Sequence, residues 1–135
     1  MELSAYLNFN GRCAEAFRFY KECFGGELTM HTHGDTPMKD QMPPDWQDKI
    51  MHASLIVDGK ALMGSDAPPQ YFKQPQGFSV SVAVASASEA ERIFKALAEQ
   101  GTTTMPFQKT FWSAGFGMLV DRFGIPWMVN ANEVA

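Results

Sequence analysis

The sequence predicts an α+β fold built from two copies of a βαβββ module. Three observations carry this prediction: two matching amphipathic helical stretches, two matching apolar hairpins, and the same order of strand, helix, strand and hairpin in each half. The modules are expected at about residues 1–66 and 76–132. A Pro- and Gln-rich stretch at 67–75 is the predicted linker, and the 135 residues are expected to form one domain.

The helical stretches match residue by residue. EAFRFYK begins at Glu15 and EAERIFK begins at Glu89, so Glu, Ala, Arg and Lys fall at identical places. Each stretch has an apolar stripe at helical spacing and is followed by glycine. The pattern predicts helices over about residues 13–24 and 89–100, the second capped by Ser86 or Ser88.

The hairpins also share one design. The first predicted hairpin pairs residues 49–58 with 60–65 around an Asp-Gly turn, and the second pairs 116–120 with 125–129 around an Asp-x-x-Gly turn. Pro126 predicts a free or bulged position near the start of the last strand. Further strands are predicted at residues 3–9, 27–32, 77–85 and 102–110.

The segment Gly34–Asp48 has no periodicity and contains three prolines and Trp46. A loop this long in a compact domain is typical of a lid or a binding loop. The alternative is that Trp46 only pins the loop to the surface. The sequence leaves both interpretations open.

Composition limits the classes of partner. The net charge is -4 and no Lys/Arg cluster is present, which argues against nucleic acid, and no apolar run is long enough to span a membrane. The N-terminus lacks the pattern of a signal peptide. Cys13 and Cys23 lie ten residues apart in one predicted helix, too far for a mutual disulfide, which indicates a reducing, cytoplasmic location.

Most of the chain resembles the glyoxalase/bleomycin-resistance/dioxygenase superfamily, also called vicinal oxygen chelate proteins, and within it the PhnB-like branch. The resemblance lies in YLNFNG at residues 6–11, AEAFRFYKECFGGEL at 14–28, IMHASLIVDGKALMGSD at 50–66, the second helix, and TFWSAGFGMLVDRFGIPWMVN at 110–130. It implies curved mixed sheets around a cavity and a homodimer. Members of the branch have been labelled ubiquinone-pathway methyltransferases, but nothing in this sequence resembles a methyl-donor site.

Metal-dependent relatives take two ligands from each module, one from its first strand and one from its last, typically His, Gln or Glu. Aligning the modules with each other places the first-strand positions at Ser4 (or Ala5 after a one-residue slip) and Ser79, and the last-strand positions at Met63 and Met128. Hydroxyls are poor ligands and thioethers favour soft ions. We therefore expect no divalent metal and no cofactor, which argues against glyoxalase-type isomerisation and extradiol dioxygenation.

Histidines are the other candidates for chemistry. His31 and His33 alternate on a predicted strand, where two imidazoles could chelate a metal, although an exposed strand end next to a loop is the simpler explanation and the one we favour. His52 shares a strand face with Ser54 and is the best candidate for a general base or an orienting donor. A hydrogen-bonded structural histidine is the alternative. No catalytic residue is assigned beyond this candidate.

Three functions compete at this point. The first is a metal-free dimer that holds a small organic molecule in a mostly apolar pocket, as bleomycin-sequestering relatives do. The second is a lyase, isomerase or dioxygenase-type enzyme with a non-standard metal set or with His52 as acid/base, and the third is a structural dimer without a ligand. The predicted ligand-contacting residues are Tyr6, Asn8, Trp46, His52, Met63, Ser65, Ser79, Phe111, Trp112 and Met128.

Overall fold

A computed structural model describes residues 1–37 and 39–135. The chain divides into two compact units, residues 1–73 (unit 1) and 74–135 (unit 2). Each unit has one four-stranded mixed sheet and one α-helix, so the predicted α+β class and the order of elements are confirmed. The boundary between the units falls within the predicted linker at 67–75. Within the described residues, neither helix is long and apolar enough to cross a membrane.

Unit 1 has its strands in the spatial order β1-β4-β3-β2. The short strand β1 runs parallel to β4, and the other neighbouring strands are antiparallel. The elements are β1 (Tyr6–Phe9), α1 (Cys13–Phe24), β2 (Glu27–Thr32), β3 (Ile50–Val57) and β4 (Lys60–Asp66).

Helix α1 covers one face of this sheet with its aromatic side. The Phe17 ring meets Phe9 and Tyr20 edge-on, with ring centroids 6.0 and 5.6 Å apart, and all three side chains are buried. Phe24, which the apolar stripe predicted as core, is only half-buried, because it occupies the last turn of the helix. Cys23 is buried one residue earlier.

Unit 2 repeats this arrangement with the order β5-β8-β7-β6. Strand β5 is parallel to β8, and the remaining pairs are antiparallel. The elements are β5 (Val80–Val84), α2 (Ala87–Ala98), β6 (Thr102–Gln108), β7 (Phe116–Val120) and β8 (Pro126–Ala131). Pro126 is the first residue of β8, where its missing N–H is tolerated.

The first residues of three predicted elements differ from the observed ones. β1 starts at Tyr6 instead of Leu3, and Leu3 is exposed because no strand pairs with it. β5 starts at Val80 instead of Gly77. Helix α2 begins at Ala87, two residues earlier than predicted, because Ser86 is the N-cap: its Oγ accepts a hydrogen bond from the backbone N–H of Glu89 at 3.2 Å.

The segment at 34–48 is less irregular than its sequence indicates. Three 3-10 turns, at His33–Asp35, Lys39–Gln41 and Pro44–Trp46, give it local hydrogen-bonded structure. Met38, within this segment, lies outside the described residues. Whether the segment acts as a lid stays a prediction.

Two acidic side chains that had no obvious partner in the sequence bind helix N-termini. The buried carboxylate of Asp66 accepts hydrogen bonds from the backbone N–H groups of Cys13 and Ile50, both at 2.9 Å. Glu133 accepts one from the N–H of Ala87 at 2.9 Å. Each carboxylate therefore satisfies a first-turn donor of its unit's helix and lies at the positive end of the helix dipole.

Candidate functional site

Each sheet has one face covered by its helix and one face turned away from it, which we call the open face. In unit 1 the helix-covered face carries Leu7 and Gly64, which pair in register, and the ring of Phe17 fills the space that a side chain at Gly64 would need. The residues that alternate with these belong to the open face. They include Tyr6, Asn8, His52, Ser54, Met63 and Ser65.

A tyrosine–histidine pair is the main polar contact on the open face of unit 1. Tyr6 Oη lies 3.2 Å from Nδ1 of His52, and the ring centroids are 5.7 Å apart. The Tyr6 ring is half-exposed and His52 is half-buried. The hydrogen bond involves Nδ1, and Nε2 of His52 has no partner within the described part of the chain. This second nitrogen can exchange a hydrogen bond or a proton with a bound molecule.

His31 adds a second imidazole to the same face. It lies directly opposite His52 across β2 and β3, so the two side chains share the open face. His33, by contrast, is not on the strand: the register shifts after His31, and His33 begins a 3-10 turn. The expectation that His31 and His33 share a strand face was therefore wrong.

The turn at His33 is capped by Asp35. The Thr32 backbone N–H donates to Asp35 Oδ2 at 3.2 Å, and this bond, followed by the Thr32 side chain and the charge of His31, lowers the pKa of the exposed Asp35 carboxyl. Asp35 thus acts as a local capping group.

The open face of unit 2 is mostly apolar. Met128 lies opposite Met118, and Phe116 lies opposite Asn130. Ser81 of β5 pairs with Met128 and is exposed, whereas both methionines are half-buried. The Asn130 Oδ1 atom is buried and lacks a hydrogen-bond partner among the described residues, so it can accept a bond from a ligand.

An aromatic cluster lies beside this face. Phe111 packs edge-on against Trp112 at 4.9 Å between ring centroids, and Trp112 packs against Phe116 at 5.3 Å. Phe111 and Trp112 are exposed and belong to the connection between β6 and β7. The fully buried Ser113 anchors this connection, because its Oγ lies 2.7 Å from the Ala131 carbonyl oxygen and 2.8 Å from that of Gly115.

The predicted ligand-contacting residues fall into three groups. Tyr6, Asn8, His52, Met63 and Ser65 share the open face of unit 1. In unit 2, Met128 is on the open face, Ser79 directly precedes β5, and Phe111 and Trp112 form the aromatic cluster. Trp46 lies on neither sheet: it ends a 3-10 turn, is half-buried, and its Nε1 has no hydrogen-bond partner in the described chain.

Sequence reasoning missed four residues on these faces. The first is His31, whose position opposite His52 was not predicted. The others are Met105, Met118 and Asn130, and Met105 lies opposite Met118. Met118 could have been found from the predicted hairpin, because pairing its two strands and following the alternation puts Met118 on the face of Met128. The position of Met105 depends on register shifts in β6 that no sequence pattern announces.

The two cysteines lie in the core of unit 1. Burial, followed by the nearby Asp66 carboxylate, raises the pKa of the Cys13 thiol, so the thiol stays protonated and unreactive. Cys13 and Cys23 are both free and buried. Over residues 1–37 and 39–135, no group of three or more His, Cys, Asp or Glu side chains is arranged to hold a metal ion.

The first and last strands of the two units pair in the same register. Tyr6 lies opposite Met63 in unit 1, and Ser81 lies opposite Met128 in unit 2. The alignment of the two halves from sequence therefore matches their strand pairing. Met63 lies on β4 and Met128 on β8, Ser79 directly precedes β5, and Ser4 lies two residues before β1. That these four residues occupy the superfamily's ligand positions stays a prediction.

Comparisons with known proteins agree with this fold. A family model described as 3-demethylubiquinone-9 3-methyltransferase matches residues 1–130. Protein YjdN from Escherichia coli (strain K12) is 36% identical over 139 residues, covering 96% of this chain and 95% of YjdN. The crystal structure of protein PA1353 from Pseudomonas aeruginosa shares 50% identity with a TM-score of 0.90, covering 98% of each chain.

A more distant structure shows the wider fold. A glyoxylase/bleomycin resistance protein/dioxygenase domain from Frankia sp. EAN1pec is 14% identical with a TM-score of 0.62, covering 96% of this chain and 94% of that one. At this identity the similarity concerns the fold alone. The chain therefore belongs to the family described as 3-demethylubiquinone-9 3-methyltransferase, the PhnB-like family, and it has the fold of glyoxalase/bleomycin-resistance/dioxygenase domains.

Proposed function

We propose that the protein binds a small organic molecule through the open face of unit 1, without the divalent metal of its superfamily. The observation that carries the proposal is the Tyr6–His52 hydrogen bond of 3.2 Å on a half-exposed sheet face. It fixes two ring systems beside Asn8, Met63 and Ser65. A few placed polar groups among apolar side chains are typical of ligand sites.

The chemistry of the donor set supports the metal-free part of the proposal. Relatives that use a metal need His, Gln or Glu at the first- and last-strand positions, where this chain has Ser4, Ser79, Met63 and Met128. A divalent ion with open positions for substrate oxygens needs nitrogen or carboxylate ligands, and neither hydroxyls nor thioethers replace them.

The Tyr6–His52 pair selects molecules with hydrogen-bonding groups on a flat apolar body. The phenol is held against Nδ1, so Nε2 is the nitrogen that meets the ligand. Depending on the tautomer, Nε2 donates to a ligand carbonyl or accepts from a ligand hydroxyl. The Met63 side chain supplies an adaptable apolar contact next to Tyr6.

The test begins with elemental analysis of protein purified without chelator. A thermal-shift screen with bleomycin, phenols, aromatic carboxylic acids and aromatic amides follows, and calorimetry then gives the affinity of the best compound. His52→Ala and Tyr6→Phe are each expected to weaken binding by about five- to tenfold, the value of one hydrogen bond.

His33→Ala is the matched control. It removes the same side chain from a 3-10 turn outside the sheet and should leave the affinity unchanged. A stoichiometric divalent ion in the purified protein, or equal losses from His33→Ala and His52→Ala, would contradict the proposal.

The alternative function is an enzyme that uses His52 as general acid/base. The same hydrogen bond favours it, because a tyrosine on Nδ1 orients the ring and leaves Nε2 to exchange protons with a substrate. Catalysis would give a bell-shaped rate profile with pH and collapse in His52→Ala. A binding protein would lose affinity in this variant without any turnover to lose.

We also propose that the protein is a cytoplasmic homodimer. The implied dimer of the superfamily and the exposed side chains of Ile56 and Phe78, 45% and 51% accessible, support the dimer. Two free, buried cysteines support a reducing compartment. Light scattering of the purified chain at micromolar concentration tests the dimer, and a monomer mass would exclude it.

A further inference from the structure

Three methionines form a row across the open face of unit 2. Met128 on β8 lies opposite Met118 on β7, and Met118 lies opposite Met105 on β6. Directly opposite residues of antiparallel strands have Cα atoms about 4.5–5.5 Å apart and side chains on the same face. Three thioether groups therefore share one strip of the face, which we call the methionine row.

Strand β6 contributes to the methionine row only because it is irregular. Register shifts flank Met105, one after Thr103 and one before Gln108. Phe107 packs on Phe94 of α2, with ring centroids 5.6 Å apart, although alternate residues of a regular strand would share a face with Met105. Because the strand register shifts between Met105 and Gln108, Met105 lies on the open face and Phe107 lies on the helix-covered face. Bulges commonly re-aim a side chain in this way next to functional sites.

The fold itself does not require methionine at these positions. In unit 1 the equivalent row consists of Tyr6, Met63, Ser54 and Thr29, which lie opposite one another on the four corresponding strands. Only one of the four is a methionine. The methionine row is therefore a property of unit 2 alone.

We propose that the methionine row binds a soft monovalent metal ion, Cu(I), through the sulfur atoms of Met105, Met118 and Met128. Thioethers are soft ligands that select Cu(I) over hard or borderline divalent ions. Methionine is unbranched, with three rotatable bonds, so three sulfurs from neighbouring strands can converge without moving the backbone. Met118 and Met128 are half-buried, and Met105 is 40% accessible, which leaves an entry path. The proposal is independent of the organic ligand on unit 1.

The test uses Ag(I) as a redox-inert soft probe. The full chain is labelled with ¹³C at the methionine methyl groups and titrated with silver nitrate while NMR follows the nine methionine signals. The signals of Met105, Met118 and Met128 should shift together and saturate at one equivalent. An anaerobic competition with bicinchoninate then measures Cu(I) affinity.

Met118→Leu removes the central sulfur while keeping a similar shape, and it should weaken Cu(I) binding by at least about tenfold. Met63→Leu is the matched control: it makes the same change at the equivalent position to Met128 in unit 1, and it should leave the affinity unchanged. Met128→Leu serves as a second test variant if Met118→Leu does not give a native spectrum, and it should show the same loss.

Silver binding that leaves the three methyl signals unshifted would overturn the proposal, because Cys13 and Cys23 would then be the ligands. Equal Cu(I) affinity in wild type and Met118→Leu, both natively folded, would also overturn it. Neither result would affect the organic-ligand proposal, which depends on Tyr6 and His52.

Discussion

Units 1 and 2 share their strand order and, apart from the shifts in β6, most of their register, yet their open faces have different chemistry. The row that starts at Tyr6 in unit 1 is mainly polar, while the row that starts at Ser81 in unit 2 consists otherwise of methionines. The helix-covered faces, in contrast, are similar, because in each a glycine on the sheet leaves room for an aromatic ring of the helix. The comparison teaches that burial under the helix constrains one face of each sheet and leaves the other free to diverge.

The helix-covered faces differ in where they make room for an aromatic ring. In unit 1, Gly64 on β4 leaves space for Phe17, and in unit 2, Gly117 on β7 leaves space for Phe94. Gly64 of β4 pairs with Ala53 of β3, and the corresponding pair in unit 2 is Val129 of β8 with Gly117 of β7. The glycine is therefore on the last strand of unit 1 but on the preceding strand of unit 2. The ring–glycine contact is thus preserved although the glycine has changed strand.

The largest difference is expected between the two helix-capping carboxylates. Asp66→Ala leaves the N–H groups of Cys13 and Ile50 buried and unpaired, so it should reduce the free energy of unfolding by about 3 kcal/mol or more. Glu133→Ala removes one bond to Ala87 at an exposed site and should cost about 0.5–1 kcal/mol. Urea denaturation of both variants measures the difference. Equal losses would show that the two caps are equivalent.

The next effect concerns the glycine under Phe17. A Cβ at position 64 would lie 2.7 Å from the Leu7 carbonyl oxygen and 2.8 Å from the Phe17 ring, so Gly64→Ala should destabilise the protein by about 1–3 kcal/mol. Ser65→Ala, the next residue and on the open face, should change stability by less than about 0.5 kcal/mol. Thermal and urea unfolding give both values. A stable Gly64→Ala variant would mean that β1 and α1 can separate without loss of packing.

A smaller effect should depend on alkaline pH. The pKa of the Cys13 thiol is raised in the folded state, so its stabilising contribution is complete below the unfolded pKa of about 8.5 and declines as pH rises above it. Stability should fall by about 1–2 kcal/mol between pH 8.5 and 10 through this group. Cys13→Ala should flatten that part of the curve. Parallel curves for the variant and wild type would disprove the effect.

The smallest effect is expected at acid pH and at Asp35. Its pKa is lowered in the folded state, so its contribution is present above the unfolded pKa of about 3.9 and is lost as pH falls through the lower folded value. Because the carboxyl is exposed, the change should be confined to the turn at His33–Asp35. An NMR titration of Asp35 and its neighbours checks this, and an Asp35 midpoint at or above 3.9 would contradict it.

The fold was accessible from sequence because its signals are local and repeated. The helix at Cys13–Phe24 and the hairpin turns follow from periodicity and from Asp-Gly chemistry, which short segments carry by themselves. Strand ends were less accessible: Leu3 fits a strand pattern, but it has no neighbouring strand to pair with. His33 fails to join the face of His31 for a different reason, because the strand register shifts after His31.

The sites divide in a similar way. The sequence by itself determined that Tyr6, Asn8, Met63 and Ser65 belong to strand faces, because alternation is a property of the chain. The replacement of the expected metal ligands by Ser and Met stays a prediction. Only the tertiary structure decided which residues of different strands lie next to each other. The Tyr6–His52 bond joins residues 46 positions apart, and Met105 reaches Met118 through two bulges. Both depend on strand register, which is set by the packing of whole sheets and not by any local segment.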